Sequence, residues 1–156
     1  MNSDLTVPVN SGELRDQELR LELERLRYDT IHKVPSYDFR MVHAATVEGM
    51  GSIRLRVGST PHVEMYAGHI GYEVDEAHRG HRYASRSVRL LMPLARLHGL
   101  PCLWITCDPE NVASGRCLEI VGAEFIEIVN VPPDCVIHKS GHPRKCRYRL
   151  GLNLQQ

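Results

Sequence analysis

Apolar residues recur along the chain at two spacings, and each spacing predicts a different element. Segments in which every second residue is apolar, or in which apolar residues run together, predict β-strands. Ile70, Tyr72 and Val74 show the alternation clearly, with small or polar residues on the opposite face. Residues 62–66 fit either a loop or an extension of that strand. The predicted strands are 36–42, 51–57, 68–74, 102–107, 125–129 and 145–150.

A helix is predicted over residues 13–27. Leu19, Leu23 and Leu26 fall on one stripe at helical spacing, and charged residues occupy the other positions. Its expected role is to cover one face of a sheet. Binding a partner or gating a substrate is the functional alternative.

Two more helices follow in the second half of the chain. One covers 83–98 and contains Pro93, which lacks a backbone donor and is expected to kink or interrupt it. The other begins after Pro109 and ends at Gly122. Strands that alternate with helices predict a mixed α/β fold.

Length and composition indicate one ordinary globular domain. The chain has 156 residues, of which 42% are hydrophobic and 24% charged, which is typical of such proteins. Residues 1–12 read as a flexible tail, because they combine proline, glycine and small polar residues. We therefore predict a tail over 1–12 and a single domain over 13–152.

Charge, hydropathy and cysteine content indicate which binding partners and which cellular compartment are expected. Nineteen basic and nineteen acidic side chains give zero net charge, which argues against a general nucleic-acid binder. No apolar run is long enough for a membrane span, and the first residues lack the pattern of a signal peptide. Five cysteines without a CxxC pair are typical of reduced thiols. A cytoplasmic protein is expected.

Residues 68–84, GHIGYEVDEAHRGHRYA, join a predicted strand to a predicted helix through a basic turn. The first N–H groups of a helix have no partner within the helix and can bind phosphate. Gly80 permits close approach of the backbone, and Arg79, Arg82 and Arg86 can donate to phosphate oxygens. The segment therefore predicts a phosphate or pyrophosphate site. A solvated basic helix face is the alternative.

Residues 79–84, RGHRYA, resemble the acetyl-CoA pyrophosphate loop of the GNAT N-acetyltransferase superfamily. That pattern reads Gln or Arg, two residues, Gly, one residue, then Gly or Ala. Arg79 and Ala84 fit it, whereas Arg82 stands in place of the central glycine. The resemblance continues after strand 102–107, where Asn111, Ser114 and Gly122 follow at the family's spacing. The match covers about residues 34–150 and resembles a group of predicted acetyltransferases within that superfamily.

The resemblance implies a GNAT-type fold, in which a mostly antiparallel, twisted central sheet is flanked by helices. It also implies acetyl-CoA as acyl-donor cosubstrate, held in a splay between strands 68–74 and 103–107. The implied cofactor-binding residues are Val74, Asp75 and Asn111 for the pantetheine arm, and Arg79, Gly80, His81, Arg82, Tyr83 and Ala84 for the pyrophosphate. Ser114 is a further implied cofactor-binding residue. Asn111 equally suits a helix N-cap, and the two roles are compatible.

Acyl transfer to an amine needs a base for the amine proton and an acid for the departing thiolate. Glu73 and His69 share one face of the predicted strand and are the candidate catalytic bases, with a structural role as the alternative for each. Tyr72 could supply the proton, although its alternation with Ile70 favours core packing. The family often has a tyrosine where this chain has Leu118, so the acid stays unassigned.

Cysteines and histidines suggest two further functions. Cys117 could act as a nucleophile, but a cysteine on an apolar helix face favours core packing. The predicted loop 131–143 and the strand after it hold a set of metal-ligand residue types, Cys135, His138, His142 and Cys146. The spacing differs from common zinc motifs, so we assign no metal and expect this loop to border the acceptor site.

These inferences converge on an N-acetyltransferase that transfers an acetyl group from acetyl-CoA to a primary amine by direct transfer in a ternary complex. The amine belongs either to a small molecule or to a protein. The alternative is a non-catalytic acyl-CoA-binding regulatory module, and a zinc-stabilised interaction domain is a third reading. No nucleic-acid or membrane partner is expected, and a homodimer is one oligomeric state that the resemblance allows.

Overall fold

The computed structural model describes residues 13–152, and the predicted tail over 1–12 lies outside this range. The chain forms a mixed α/β fold with two antiparallel sheets, in agreement with the predicted fold class. The first sheet has five strands in sequential order, each paired with the next. These strands are β1 (Arg15–Asp16), β2 (Leu19–Asp29), β3 (Val34–His43), β4 (Gly49–Arg56) and β5 (Ile70–Val74).

The prediction of a helix over 13–27 is wrong, because this segment forms β1 and β2. The leucines at 19, 21 and 23 also alternate with charged residues, so the segment carries a strand pattern beside the helical one. Pairing with β3 along most of β2 decides between them. In that pairing Leu19 and Leu21 enter the core, while Leu23 is exposed next to a bulge.

The second sheet has three strands, in the order β6, β8, β7. They are β6 (Cys102–Cys107), β7 (Glu124–Asn130) and β8 (Arg144–Gly151), and all three match predicted strands. Within the part of the chain described, β7 lies at the outer edge and pairs only with β8. The single central sheet that the resemblance implies is thus divided into two.

The predicted helices of the second half are confirmed as α1 (Tyr83–Leu97) and α2 (Val112–Val121). Pro93 lies inside α1 on its exposed side, and the helix continues past it. The predicted loop 131–143 contains a short helix, α3 (Val136–Lys139). Residues 62–66, left open by the sequence, belong to a π-helical turn at Val63–Ala67.

The two sheets meet where β5 and β6 come together. The amide of His69, just before β5, donates to the carbonyl of Trp104 in the middle of β6 at 2.6 Å. Gly68 makes this approach feasible: it has φ +78°, and a Cβ there would lie 3.1 Å from the Trp104 oxygen. Beyond this junction no β5–β6 pairing is formed in residues 13–152. The edges therefore separate, and the apolar core lies between the sheets and α1.

Helix length and hydropathy also bear on membrane association. Among the described residues, no helix is both long and apolar enough to cross a bilayer.

Candidate active site

A cleft of about 440 Å³ opens where β5 ends and α1 and α2 begin. Its wall comes from three segments that are far apart in sequence: the end of β5, the turn into α1, and the first turns of α2. The lining residues that the sequence predicted for this site are Glu73, Val74, Arg79, Gly80, Arg82, Tyr83, Ala84, Asn111 and Ser114. Tyr72 and Cys117, for which the sequence favoured core packing, also line the cleft, and the tertiary structure adds His78 and Ala113.

The turn into α1 has the geometry of an anion cradle. Gly80 has φ +96° and no atom within 4 Å of the position where a Cβ would stand, so its backbone is open to a ligand. Arg82 caps the helix with φ 61° and ψ 32°, a left-handed conformation. It makes no side-chain cap hydrogen bond, and so the first N–H groups of α1 are not covered by that side chain.

The left-handed conformation of Arg82 explains the glycine in the family pattern. Glycine adopts positive φ without steric cost, whereas another residue pays about 1 kcal/mol there. The backbone at this position therefore keeps the conformation that glycine favours, even though the side chain is arginine. The substitution leaves the loop geometry in place and adds a guanidinium at its edge.

The three arginines of the turn have different surroundings. Arg79 is exposed, and its Nε donates to the Val74 carbonyl at 3.1 Å. Arg86 pairs with Asp16 at 2.7 Å and with Glu18 at 3.1 Å. The expectation that Arg86 donates to phosphate is therefore not met in this arrangement, because β1 and the turn after it occupy its guanidinium.

Tyr83 links the same turn to the first sheet. Its hydroxyl donates to Glu18 at 2.8 Å, and its ring is buried. Hydrogen bonds from Arg86 and Tyr83 lower the pKa of Glu18 to about 2. The carboxylate therefore stays ionised and holds the start of α1 against the sheet, which fixes the turn beside the cleft.

Asn111 and Ser114 begin α2 on the opposite wall. The Asn111 Oδ1 accepts from the Ser114 amide at 3.0 Å, so the predicted N-cap is confirmed. This bond occupies the amide oxygen and leaves the Asn111 Nδ2 group as a donor at the cleft. The Ser114 hydroxyl lies 2.7 Å from the Tyr72 hydroxyl, so β5 and α2 are joined across the cleft.

The position of Tyr72 differs in part from what the strand pattern predicted. Tyr72 packs partly against the core, as its alternation predicted, but it also lines the cleft. Burial, and the nearby Cys117 thiol, raise its pKa well above the usual range, so the phenol keeps its proton. Leu118, at the position of the family's tyrosine, is fully buried. A phenol therefore enters this cleft from β5 instead of from α2.

Cys117 lies next to Tyr72 in the cleft wall. Burial raises the pKa of its thiol despite a hydrogen bond with Tyr72. A protonated thiol is a poor nucleophile. Cys117 is half-buried and lines the cleft, so the expectation that it packs in the core is met only in part.

The two candidate bases occupy different surroundings. Glu73 is exposed and lines the cleft. His69 is buried, and its Nδ1 accepts from the Trp104 amide at 2.9 Å while its Nε2 lies 2.8 Å from the Ser59 hydroxyl. Burial, and secondarily Arg56, lower the pKa of His69 to about 4. Its neutral ring is engaged at both nitrogens and does not line the cleft.

Two of the predicted cofactor contacts stand beside the cleft without lining it. The Asp75 side chain is exposed, and its backbone amide donates to Met50 at 2.9 Å. His81 is exposed and stacks on Tyr83, with ring centroids 5.2 Å apart. Both lie within two residues of lining positions.

A second cavity, of about 360 Å³, lies beside β4 and α3. It is lined by Arg54 and Arg56 of β4 and by residues of 136–145, the segment expected to border the acceptor site. His142 in its wall contacts Asp108, with Nδ1 and Oδ2 2.7 Å apart. Burial raises the pKa of Asp108, but hydrogen bonds from His142 and Lys145 hold it below its usual range.

The four residues considered for zinc do not converge. His142 contacts Asp108, whereas Cys135 lies 3.9 Å from His62 and Cys146 is buried on β8. In the range 13–152, no group of three or more His, Cys, Asp or Glu side chains is arranged to hold a metal ion.

The fold and cleft together define a class of protein. An open glycine turn, uncapped helix N–H groups and the exposed Arg79 suit an anionic phosphate chain, and the cleft continues along β5 and α2. The cleft lies where the two sheets separate. The sequence profile of the acetyltransferase (GNAT) domain matches residues 6–124. The chain belongs to this family.

Solved structures share the fold at low sequence identity. The ribosomal-protein-S5-alanine acetyltransferase of Vibrio fischeri superposes with a TM-score of 0.61 at 14% identity over 78% of this chain. A GNAT-family acetyltransferase of Bacillus anthracis gives 0.57 at 19% over 74%. The ribosomal L7/L12 alpha-N-protein acetyltransferase RimL in complex with coenzyme A gives 0.56 at 19% over 74%.

This chain spans 64%, 66% and 62% of those three chains, which is just under two thirds of each. Among curated proteins, none matches the sequence significantly.

Proposed function

We propose that the chain is an N-acetyltransferase that uses acetyl-CoA and transfers the acetyl group directly to a primary amine. The observation that carries this proposal is the cleft itself, in which an anion cradle at one end leads to a protonated phenol hydrogen-bonded across the walls. Similar folds solved with coenzyme A or with acetyl-CoA and AMP support the choice of donor.

Different residues of the cleft bind different parts of acetyl-CoA. Gly80, Arg79 and the first N–H groups of α1 hold the pyrophosphate, because they combine open backbone donors with an exposed guanidinium. Arg82 adds a second exposed cation at the edge of the turn. Val74 and Asn111 also line the cleft and hold the pantetheine arm.

Two groups of β5 move the protons. Glu73 accepts a proton from the amine as its nitrogen bonds to the thioester carbon. Tyr72 donates its proton to the sulfur as the carbon–sulfur bond breaks, and Ser114 orients the phenol. The products are the N-acetyl amine and the free thiol. His69 is assigned the positioning of the β5–β6 junction, because both of its ring nitrogens are engaged there.

The acceptor enters from the side of β5 that carries Gly71 and Glu73. Alternate residues of a strand share a face, so these two point away from Tyr72. Gly71 pairs with Arg54, which lines the second cavity. We place the amine substrate, from a small molecule or a protein, at this cavity.

The five free cysteines fit the predicted cytoplasmic location, and a homodimer stays a prediction.

The second candidate is a non-catalytic acyl-CoA-binding module. The buried Leu118, at the place of the family's tyrosine, favours it, because α2 then supplies no phenol for the leaving thiolate. Both candidate functions require acetyl-CoA to bind in this cleft. They differ in whether Tyr72 and Glu73 catalyse transfer of the acetyl group from it.

The deciding experiment titrates the purified protein with acetyl-CoA by calorimetry and follows thiol release with and without a panel of primary amines. Saturable binding with amine-dependent thiol release is expected. Binding without any release would favour the regulatory module. Absence of binding would overturn both candidates, since each requires the cleft to hold the donor.

A further inference from the structure

The second cavity carries an uncompensated positive charge. Arg54 on β4 lines it, and in the described part of the chain no carboxylate pairs with this guanidinium. Most other arginines of the first sheet do have acidic partners; Arg25 and Arg27, for example, share Asp38. A guanidinium left without an anion in a concave site is a ready ligand for one.

The remaining charges of the cavity have the same sign. Arg56 and Lys145 also line it, and no acidic side chain does among residues 13–152. Their carboxylate partners do not line the cavity: Arg56 is 3.4 Å from Asp29, and Lys145 is 3.2 Å from Asp108. The surface that a ligand meets is therefore cationic.

His32, which lines the cavity together with His142, is affected by these charges. Burial, and next the charge of Arg56, lower the pKa of His32 to about 4, and Arg54 acts in the same direction. His32 is thus neutral at physiological pH and adds no positive charge of its own. Burial disfavours any charge on His32, whereas the smaller contribution of Arg56 and Arg54 is a positive field that would favour an anion in the cavity.

The position of Arg54 connects the cavity to the donor cleft. Arg54 is the cross-strand partner of Gly71, and the next residue along β5, Tyr72, lines the cleft. A Cβ at Gly71 would lie only 2.6 Å from an Arg54 terminal nitrogen, so the glycine leaves the space that the guanidinium uses. An anion on Arg54 would accordingly be held next to β5, the strand that carries Tyr72 and Glu73.

We infer that this cavity selects the acceptor, and that the acceptor is a primary amine bearing a carboxylate or phosphate group that Arg54 binds. The inference rests on the proposed function, since it assigns the substrate class of the same site. Lys145 adds a second donor for the anion. The amine end is repelled from the cationic cavity and is directed toward Glu73 and the donor cleft.

The test uses matched amines that differ in one charge. Short ω-amino acids are compared with their amides, and ω-aminoalkyl phosphates with the corresponding amino alcohols, by calorimetry on the coenzyme-A-loaded protein and by kcat/KM for acetyl transfer. The anionic member is expected to bind about 10- to 100-fold more tightly, which is the usual gain from a charge-assisted hydrogen bond. Whether the carboxylate or the phosphate series shows the larger ratio identifies the source of the anion.

Three variants tie this preference to Arg54. Arg54→Gln should reduce the ratio to about one, and Arg54→Lys should keep part of it because the charge remains. Gly71→Ala should also lower it by displacing the guanidinium, whose flexible end can move without unfolding the sheet. Arg96→Gln, which removes a charge at the end of α1 outside the cavity, is the matched control and should keep the full ratio.

Equal binding of both members of each pair by the wild type would overturn the inference, as would an undiminished ratio in Arg54→Gln. The binding measurement does not depend on turnover, so it is separate from the proposed function. Acetyl transfer to neutral and anionic amines at equal kcat/KM would leave the acetyltransferase intact and remove only the acceptor class. Loss of acetyl-CoA binding in the wild type would overturn both.

Discussion

The phenol oxygen of Tyr72 lies 2.7 Å from the hydroxyl of Ser114, a bond that joins β5 to the first turn of α2 across the cleft. Removing the phenol hydroxyl in Tyr72→Phe should lower kcat about 10²-fold or more, because the thiolate then leaves without a proton donor. The Kd for acetyl-CoA should hardly change. Stopped assays of thiol release and calorimetry measure the two quantities.

Ser114→Ala provides the control for this assignment. It removes the partner that orients the phenol but keeps the phenol itself, so we expect a smaller loss of kcat than in Tyr72→Phe. An unchanged kcat in Tyr72→Phe would exclude Tyr72 as the proton donor.

Glu73→Gln should lower the rate of acetyl transfer by about 10²-fold or more and leave acetyl-CoA binding intact, because the amide cannot accept the amine proton. Glu76→Gln is the matched control, since Glu76 is equally exposed but does not line the cleft. Steady-state kinetics on the best amine of the panel gives the comparison. Wild-type activity in Glu73→Gln would assign the base to another group.

Arg79→Gln should weaken acetyl-CoA binding about tenfold, because a charge-assisted hydrogen bond to the pyrophosphate is lost. The effect should shrink at high ionic strength, as expected for an exposed charge. Calorimetric titration at two salt concentrations measures both. An unchanged Kd at low salt, equal to that of Arg96→Gln, would contradict a role for Arg79 in binding the donor.

Arg82→Gly should raise the free energy of unfolding by roughly 0.5 to 1 kcal/mol, since glycine adopts the left-handed conformation of this position without steric cost. Part of the gain is offset by the larger backbone entropy of glycine in the unfolded chain. Arg82→Ala keeps the strained backbone and removes the same side chain. Chemical denaturation of both variants should show stabilisation in the glycine variant alone, and equal stabilities would refute the backbone explanation.

His69 should make stability depend on pH below neutrality. Its pKa falls from 6.5 to about 4 on folding, so between these values the unfolded chain binds more protons than the folded one. Its contribution to stability is complete above pH 6.5 and is lost as the pH falls toward 4. The slope from one such group is at most about 1.4 kcal/mol per pH unit.

Denaturation curves across this pH range measure that slope, and His32, with its pKa also lowered to about 4, adds a second contribution of the same sign. His69→Gln should show a shallower dependence than the wild type, although its overall stability is lower. An identical slope in the variant would mean that His69 does not titrate on unfolding as described.

Local sequence predicted the elements whose hydrogen bonds are formed between near neighbours. Asn111 caps α2 by bonding to an amide three residues ahead, and Gly122 ends the same helix with φ +97°. The basic turn at 79–84 lies between β5 and α1 as its pattern indicated. The family resemblance was likewise carried by short runs, and it located most of one cleft wall without any knowledge of the rest of the fold.

Tertiary structure decided everything that depends on a distant partner. Residues 13–27 carry both helical and strand spacing, and only pairing with β3 selects the strand. Arg86 is occupied by Asp16 and Glu18, about seventy residues away, and no local pattern reveals this. The chain by itself therefore determined its local elements and family, because these depend on periodicity and short motifs. The place of Arg54 in the second cavity, the raised pKa of Tyr72 and the engagement of both ring nitrogens of His69 depend on residues brought together from separate strands and helices.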